Sequence, residues 1–335
     1  MAKLVTDTLW RAKTESYVSA LLRLHEVFKA DDSKNLRAVS RSRRPSMPES
    51  DIISYGLPRQ QHVKTTVMAQ VVLSAKSGND WTDNELIGLN VSYQNVDVPT
   101  FFGTSQLPVT SVSPVILNND VEPLPPTVLS KDERLFFRYL HRAVVENEAS
   151  VDDWAGHVLR ILDYDGGDRE IATKRELSFT MCGEWKWAKP DFVVLSGGQR
   201  TLLVQEDKHV RHVAEPFPQL VADSIAAFTE NNFLRAVALP EGMIYGITIT
   251  GTAPVFYKLP ITQTLVQAVI TGQYPAQRTV VQRLILPVPR PNSYQYEGIV
   301  PLDNRRIVFQ CLEAMKNLLV SVMSSHCTSC FDTPV

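Results

Sequence analysis

Asp191, Glu206 and Lys208 are the residues whose types and spacing could do chemistry in this chain. Asp191 follows Pro190 at the start of an expected strand, 191–196, and Glu206-Asp207-Lys208 ends the next, 201–207. Side chains on a strand alternate faces, so Leu202, Val204, Glu206 and Lys208 share one face. That row turns from apolar to charged, as expected where a strand leaves the core for a cleft. The Ser196-Gly197-Gly198-Gln199 turn joins the two strands as a hairpin. A turn centred near residue 198 sets Asp191 opposite Glu206. Two carboxylates a few ångströms apart bind a hard divalent cation, Mg²⁺ or Mn²⁺, through oxygen. Such an ion polarises a phosphodiester and lowers the pKa of a bound water. Lys208 is placed to orient that water or to stabilise charge on the scissile phosphate. The backbone carbonyl of Asp207 is a natural extra ligand, while its side chain points away with Leu203 and Gln205.

Helices must position this hairpin. Ser130 is an N-cap with Glu133 at the capping-box position, and a helix runs on through residues 135–148. A second helix starts at Ser150-Val151-Asp152-Asp153, with Trp154, Val158, Ile161 and Leu162 on one face, and ends at Asp165-Gly166-Gly167. A strand is expected at 172–180. After Pro216 and Pro218 a helix places Val221, Ile225 and Phe228 on one face. Strands at 243–250 and 254–259 follow, then helices at 262–271 and 305–323. Residues 7–29 read as an amphipathic helix, and residues 60–76 fit a helix or a strand. Proline-rich residues 97–128 read as an extended connector, packed because Phe101, Phe102, Val115 and Leu117 need burial. The expected organisation is a mostly helical or irregular N-terminal extension over 1–125, one domain over 126–325 and a flexible tail over 326–335.

Pro190-Asp191 followed after fourteen residues by Glu206-Asp207-Lys208 resembles the PD-(D/E)XK motif of restriction endonuclease-like nucleases. The helix, three strands, helix, strand order around it is similar to that family's common core, over about residues 145–260. The resemblance implies a mixed α/β fold, a central mixed sheet flanked by helices. It implies Asp191 and Glu206 as metal ligands, Lys208 as the catalytic lysine, and Mg²⁺ or Mn²⁺ as cofactor. The activity implied is phosphodiester hydrolysis in nucleic acid, DNA before RNA, by an enzyme that can pair as a homodimer. Many members carry an acidic ligand on the helix before the first strand, where Glu148, Asp152 and Asp153 stand here. Members related to RecB-type exonucleases carry a glutamine on the helix after the lysine and a tyrosine four residues on. Gln219 fits the first position, and Asp223 stands in place of the tyrosine. The wider sequence is also similar to uncharacterised fungal proteins, which adds no function. The rival function is an inactive module of the same fold that binds nucleic acid or a protein partner.

Other features have two readings each. Trp185, Lys186, Trp187 and Lys189 interleave aromatic and cationic side chains just before Asp191, which suits base stacking and phosphate contact or plain strand-edge packing. Basic residues 34–44, with Arg43 and Arg44, suit a nucleic-acid arm or a solvated loop. His157 either points at the site or sits satisfied in the core. Cys327 and Cys330, near Cys311 and His326, suit a zinc site or a frayed tail.

Composition sets the frame. Of 335 residues, 44% are hydrophobic, enough for a sizeable core. A net charge of −2 excludes a generally basic nucleic-acid binder, so any such surface is local. No apolar run reaches the roughly 18 residues of a membrane span, and the charged start has no secretory apolar region. Four cysteines make no disulfide scaffold, which points to a reducing intracellular setting, cytoplasmic or nuclear.

Overall fold

Phe192-Val193-Val194-Leu195 and Leu202-Leu203-Val204 are apolar on both strand faces, so their strands must be covered on both sides. The computed structural model describes residues 72–197, 200–208 and 215–327, with side chains to 321. All of them belong to one compact unit, Val67–Val335. The expectations for 7–29, for 34–44 with Arg43 and Arg44, for most of 60–76 and for Cys330 lie outside the described residues.

After a 3₁₀ turn at Gly78–Asp80 the elements run α1 (Asp83–Gly88), β1 (Val91–Val96), α2 (Val98–Phe102), α3 (Pro114–Asn118), α4 (Lys131–Val145) and α5 (Glu148–Ile161). Then come β2 (Arg169–Thr173), β3 (Leu177–Met181), β4 (Glu184–Ala188), β5 (Phe192–Ser196), β6 (Arg200–Lys208) and α6 (Phe217–Phe233). The series ends with β7 (Glu241–Thr250), β8 (Ala253–Thr262), α7 (Gln263–Thr271), β9 (Thr279–Leu284), α8 (Tyr294–Glu297) and α9 (Leu302–Cys327). Seven strands form one mixed sheet in the order β1-β9-β8-β7-β6-β5-β2. The β1/β9 and β6/β7 pairs are parallel, and the others antiparallel. β3 and β4 form a separate hairpin. Strand alternation divides the core: Phe192, Val194 and Leu203 join Trp154 and Phe309 under α5 and α9. Val193, Leu195 and Val204 join Ile225 and Leu265 under α6 and α7. The fold is thus α/β with a central mixed sheet flanked by helices.

The capping box at Ser130 is present: its hydroxyl accepts from Glu133 N–H, and the Glu133 carboxylate accepts from Ser130 N–H at 2.7 Å. Ser130→Ala should cost about 1 kcal/mol in urea unfolding, because one N-terminal donor loses its acceptor. An unchanged midpoint would show that the cap contributes nothing.

Several elements differ from expectation for identifiable reasons. Residues 72–125 are not separate from the domain over 126–325, because β1 pairs with β9 in the same sheet. The connector over 97–128 holds two short helices, each begun by a side-chain cap (Asp97, Ser113) and an early proline. Phe101 is buried there, and Phe102, Val115 and Leu117 pack against the same core. The single strand expected at 172–180 breaks into β2 and β3 at Lys174, whose φ is +50°. α5 starts earlier than Ser150, because the Asn147 side chain caps Ser150 N–H. No helix of the described residues is long and apolar enough to cross a membrane.

α6 lies close on the sheet because Gly246 has no side chain. A Cβ there would come within 2.8 Å of Leu220. That contact seats the first turns of α6, and with them Gln219 and Asp223, against the end of β6.

Candidate functional site

The hairpin register is the expected one where it matters: Phe192 faces Gln205, Val193 faces Val204 and Val194 faces Leu203. A bulge at Val194/Leu195 shifts it by one toward the turn. This brings Asp191, the residue before β5, beside the charged end of β6. Asp207 N–H donates to Asp191 Oδ2 at 2.8 Å. Lys174 Nζ donates to Asp191 Oδ1 at 2.8 Å and to Asp152 Oδ2 at 3.0 Å.

Carboxylate oxygens of Asp152, Asp191 and Asp207 lie within 4.8 Å of one another. The Asp207 side chain therefore does not point away from the site. It does lie on the strand face opposite Glu206, but that face is where α5 presents Asp152. Asp191 joins it because it precedes β5 and is held by Lys174 and Asp207 N–H rather than by strand alternation. Gln205, two residues before Asp207 on the same face, donates to Asp207 Oδ1 at 3.0 Å.

The three acidic candidates on α5 separate by helix rotation, about 100° per residue. Asp152 faces the sheet, and its Oδ1 is buried with no partner among the described residues. Asp153, one residue on, faces out and pairs with Arg142 at 3.0 Å, so it is not a ligand here. Glu148, in the first turn, reaches Lys208 Nζ at 3.2 Å.

Glu206 faces α6, where it meets Asp223. Both are fully buried, at 0% exposure. Their carboxyls lie within hydrogen-bonding reach of each other. As two carboxylates, however, neither offers a proton, and all four oxygens lack a donor among the described residues. Lys208 Nζ stands 3.6 Å from Glu206 Oε2 and donates to the Asp207 carbonyl at 3.0 Å. The carbonyl expected as an extra ligand thus holds the lysine in place. Gln219 is buried one helical turn before Asp223, on the same side of α6.

The electrostatics follow from this burial. Desolvation first, then the neighbouring Asp223, push Glu206 well above the usual carboxylate range. Desolvation, then Asp191, do the same to Asp207. Burial raises Asp223 to about 7, and burial with the Asp191 charge raises Asp152. Burial pulls the two lysines down, but their carboxylate partners win and both are raised: Asp191 and Asp152 for Lys174, Glu206 and Glu148 for Lys208.

The remaining candidates sit elsewhere. Trp185 and Trp187 are 72% and 54% exposed on the outer face of β4. Strand alternation turns Lys186 to the other face, where it pairs with Glu184, and Lys189 pairs with Glu176. Each ammonium group thus has an acidic neighbour at the surface. His157 is a core histidine: Nε2 bonds the Asp132 carbonyl at 2.9 Å, and its ring meets Tyr139 edge-on.

Lys174 was not among the candidates, and Asp223 stood only as a departure from a motif. For Lys174 no local pattern marks the role. For Asp223 the signal was a lone carboxylate within the apolar run Val221–Phe228. No protein-family model matches this chain, and no curated protein does either.

Proposed function

We propose that this protein is a divalent-cation-dependent nuclease of the restriction endonuclease-like type that hydrolyses phosphodiester bonds in DNA. The observation that carries this reading is the grouping of Asp152, Asp191 and Asp207 within 4.8 Å, with Lys208 at the end of the same strand. The donors are all hard oxygens, the set that Mg²⁺ or Mn²⁺ takes. The unpartnered Asp152 Oδ1 has capacity for it. A cation held by Asp191 with Asp152 and Asp207 would supply Lewis-acid polarisation of the phosphodiester and a more acidic water. Lys208, kept protonated by Glu206 and Glu148, offers its ammonium to charge developing on the phosphate. Lys174 pairs with Asp152 and Asp191, the carboxylates that would hold the cation, and so would compete with it for them.

That same lysine favours a second reading, an inactive module of this fold that binds nucleic acid or a protein partner. Its ammonium already balances two of the three carboxylates. Cleavage of plasmid and single-stranded DNA by the full chain in Mg²⁺ or Mn²⁺ separates the two. Under the nuclease reading Lys208→Ala should cut about 10²- to 10³-fold more slowly, the usual effect of losing one electrostatic donor. Cation binding should persist in that variant. Cleavage at wild-type rate in Lys208→Ala would sink the assignment. Retention of DNA on a gel without cleavage would favour the binding module.

A further inference from the structure

The two acidic groups at the end of β6 are not equally supplied with partners. Asp191 and Asp207 receive Lys174, the Asp207 N–H and the Gln205 amide between them. The Glu206 and Asp223 carboxylates receive none among the described residues, although both are fully buried and face each other. Among the described residues Lys208 Nζ stands 3.6 Å from Glu206 and is shared with Glu148 and the Asp207 carbonyl. Two carboxylates packed together out of water cannot both stay charged unless a positive charge, a shared proton or a metal cation, lies between them. Gly246, which has no side chain, lets α6 pack close on the sheet beside this pair.

We propose that Asp223 is a metal ligand that shares a divalent cation with Glu206 on the α6 face of β6, across the strand from the Asp152, Asp191 and Asp207 carboxylates. The inference deepens the nuclease reading and rests on it for the cation's class: hard, divalent and oxygen-coordinated. It places one cation site on each face of a single strand end, with Asp191 at the boundary. Asp223 is then the residue whose loss empties one site and spares the other.

The test is Mn²⁺ binding to the full chain, read by calorimetry and by the electron paramagnetic resonance signal of free Mn²⁺, without DNA. Asp223→Asn keeps the shape of the side chain and removes its charge. It should weaken the Mn²⁺ site by at least about 10-fold, the loss seen when even an outer partner of a metal ligand is removed. Glu206→Gln should weaken the same site, and the double variant should lose no more than either single one. Asp223→Cys should shift the preference of the site from Mn²⁺ toward Cd²⁺, because a thiolate is a soft ligand. That swap also carries the test if Asp223→Asn fails to fold. Unchanged Mn²⁺ affinity in Asp223→Asn, no gain for Cd²⁺ in Asp223→Cys, or no Mn²⁺ binding by the wild type would each overturn the proposal. Failure of the nuclease reading looks different. Mn²⁺ binding that depends on Asp223 without any cleavage keeps this inference and removes that one. Cleavage that depends on Asp191 and Lys208 but not on Asp223 does the reverse.

Discussion

Asp191→Asn is expected to lower cation-dependent cleavage by about 10³-fold, the equivalent of several kcal/mol of lost cation catalysis. Asp191 is the hub of the site. It accepts from Lys174 and from Asp207 N–H, and its charge reaches Glu206, Asp207, Asp223 and Asp152. Asparagine keeps the size and one acceptor but removes the charge. The variant should therefore fold, and calorimetry should show weakened Mn²⁺ binding along with the lost cleavage. In the wild type, Mn²⁺ affinity should rise from pH 5 to pH 8. The sign follows from the raised pKa values of Glu206, Asp207, Asp223 and Asp152. At low pH these groups hold protons that a cation must displace, and at high pH they do not. An Asp191→Asn protein that cuts at wild-type rate, or affinity that falls as pH rises, would refute the assignment.

Arg305→Met is expected to destabilise the fold by about 3–5 kcal/mol, because several buried carbonyls lose their donor at once. Arg305 is fully buried in the first turns of α9. Its guanidinium donates to the carbonyls of Ile116, Asn119, Ile299 and Val300 and lies 5.5 Å from the Phe136 ring centroid. It thereby ties α3 and the loop before α9 to the core beneath α4. Methionine fills much of the volume but leaves four carbonyls without that donor. Each unmet buried acceptor costs about 1–3 kcal/mol where water cannot reach it. Urea denaturation of the full chain reads the loss directly. A shift under about 1 kcal/mol would mean that water replaces the guanidinium, contrary to its burial.

Much of the site was legible in the sequence because its signals are local. Period-two alternation and a glycine turn predict the hairpin, and the structure keeps that register through Phe192, Val193 and Val194. The serine and glutamate three residues apart predict the start of α4, since a cap is made within one turn. The alternation of β6 sets Glu206 and Asp207 on opposite faces, which the structure also has. What parity cannot say is what lies across each face. Asp207 is part of the acidic cluster because α5 crosses there, and Asp152 rather than Asp153 belongs to it because the helix packs with that rotation.

The residues that escaped local reading are those whose partners lie far off in the chain. Lys174 meets Asp191 from the neighbouring strand and Asp152 from the helix packed on the sheet, and Asp223 meets Glu206 where Gly246 lets α6 settle on the sheet. β1 and β9 were unforeseen for a similar reason: a parallel pair is joined through intervening elements and leaves no turn in the sequence to mark it. The sequence by itself determined which strand ends in charge, where its hairpin partner lies and which chemistry those residue types suit. The tertiary structure alone decided which carboxylates meet, which lysine neutralises them and which pair has no donor among the described residues. Contacts between distant segments depend on helix rotation and layer packing, and neither is written in the local period of the chain.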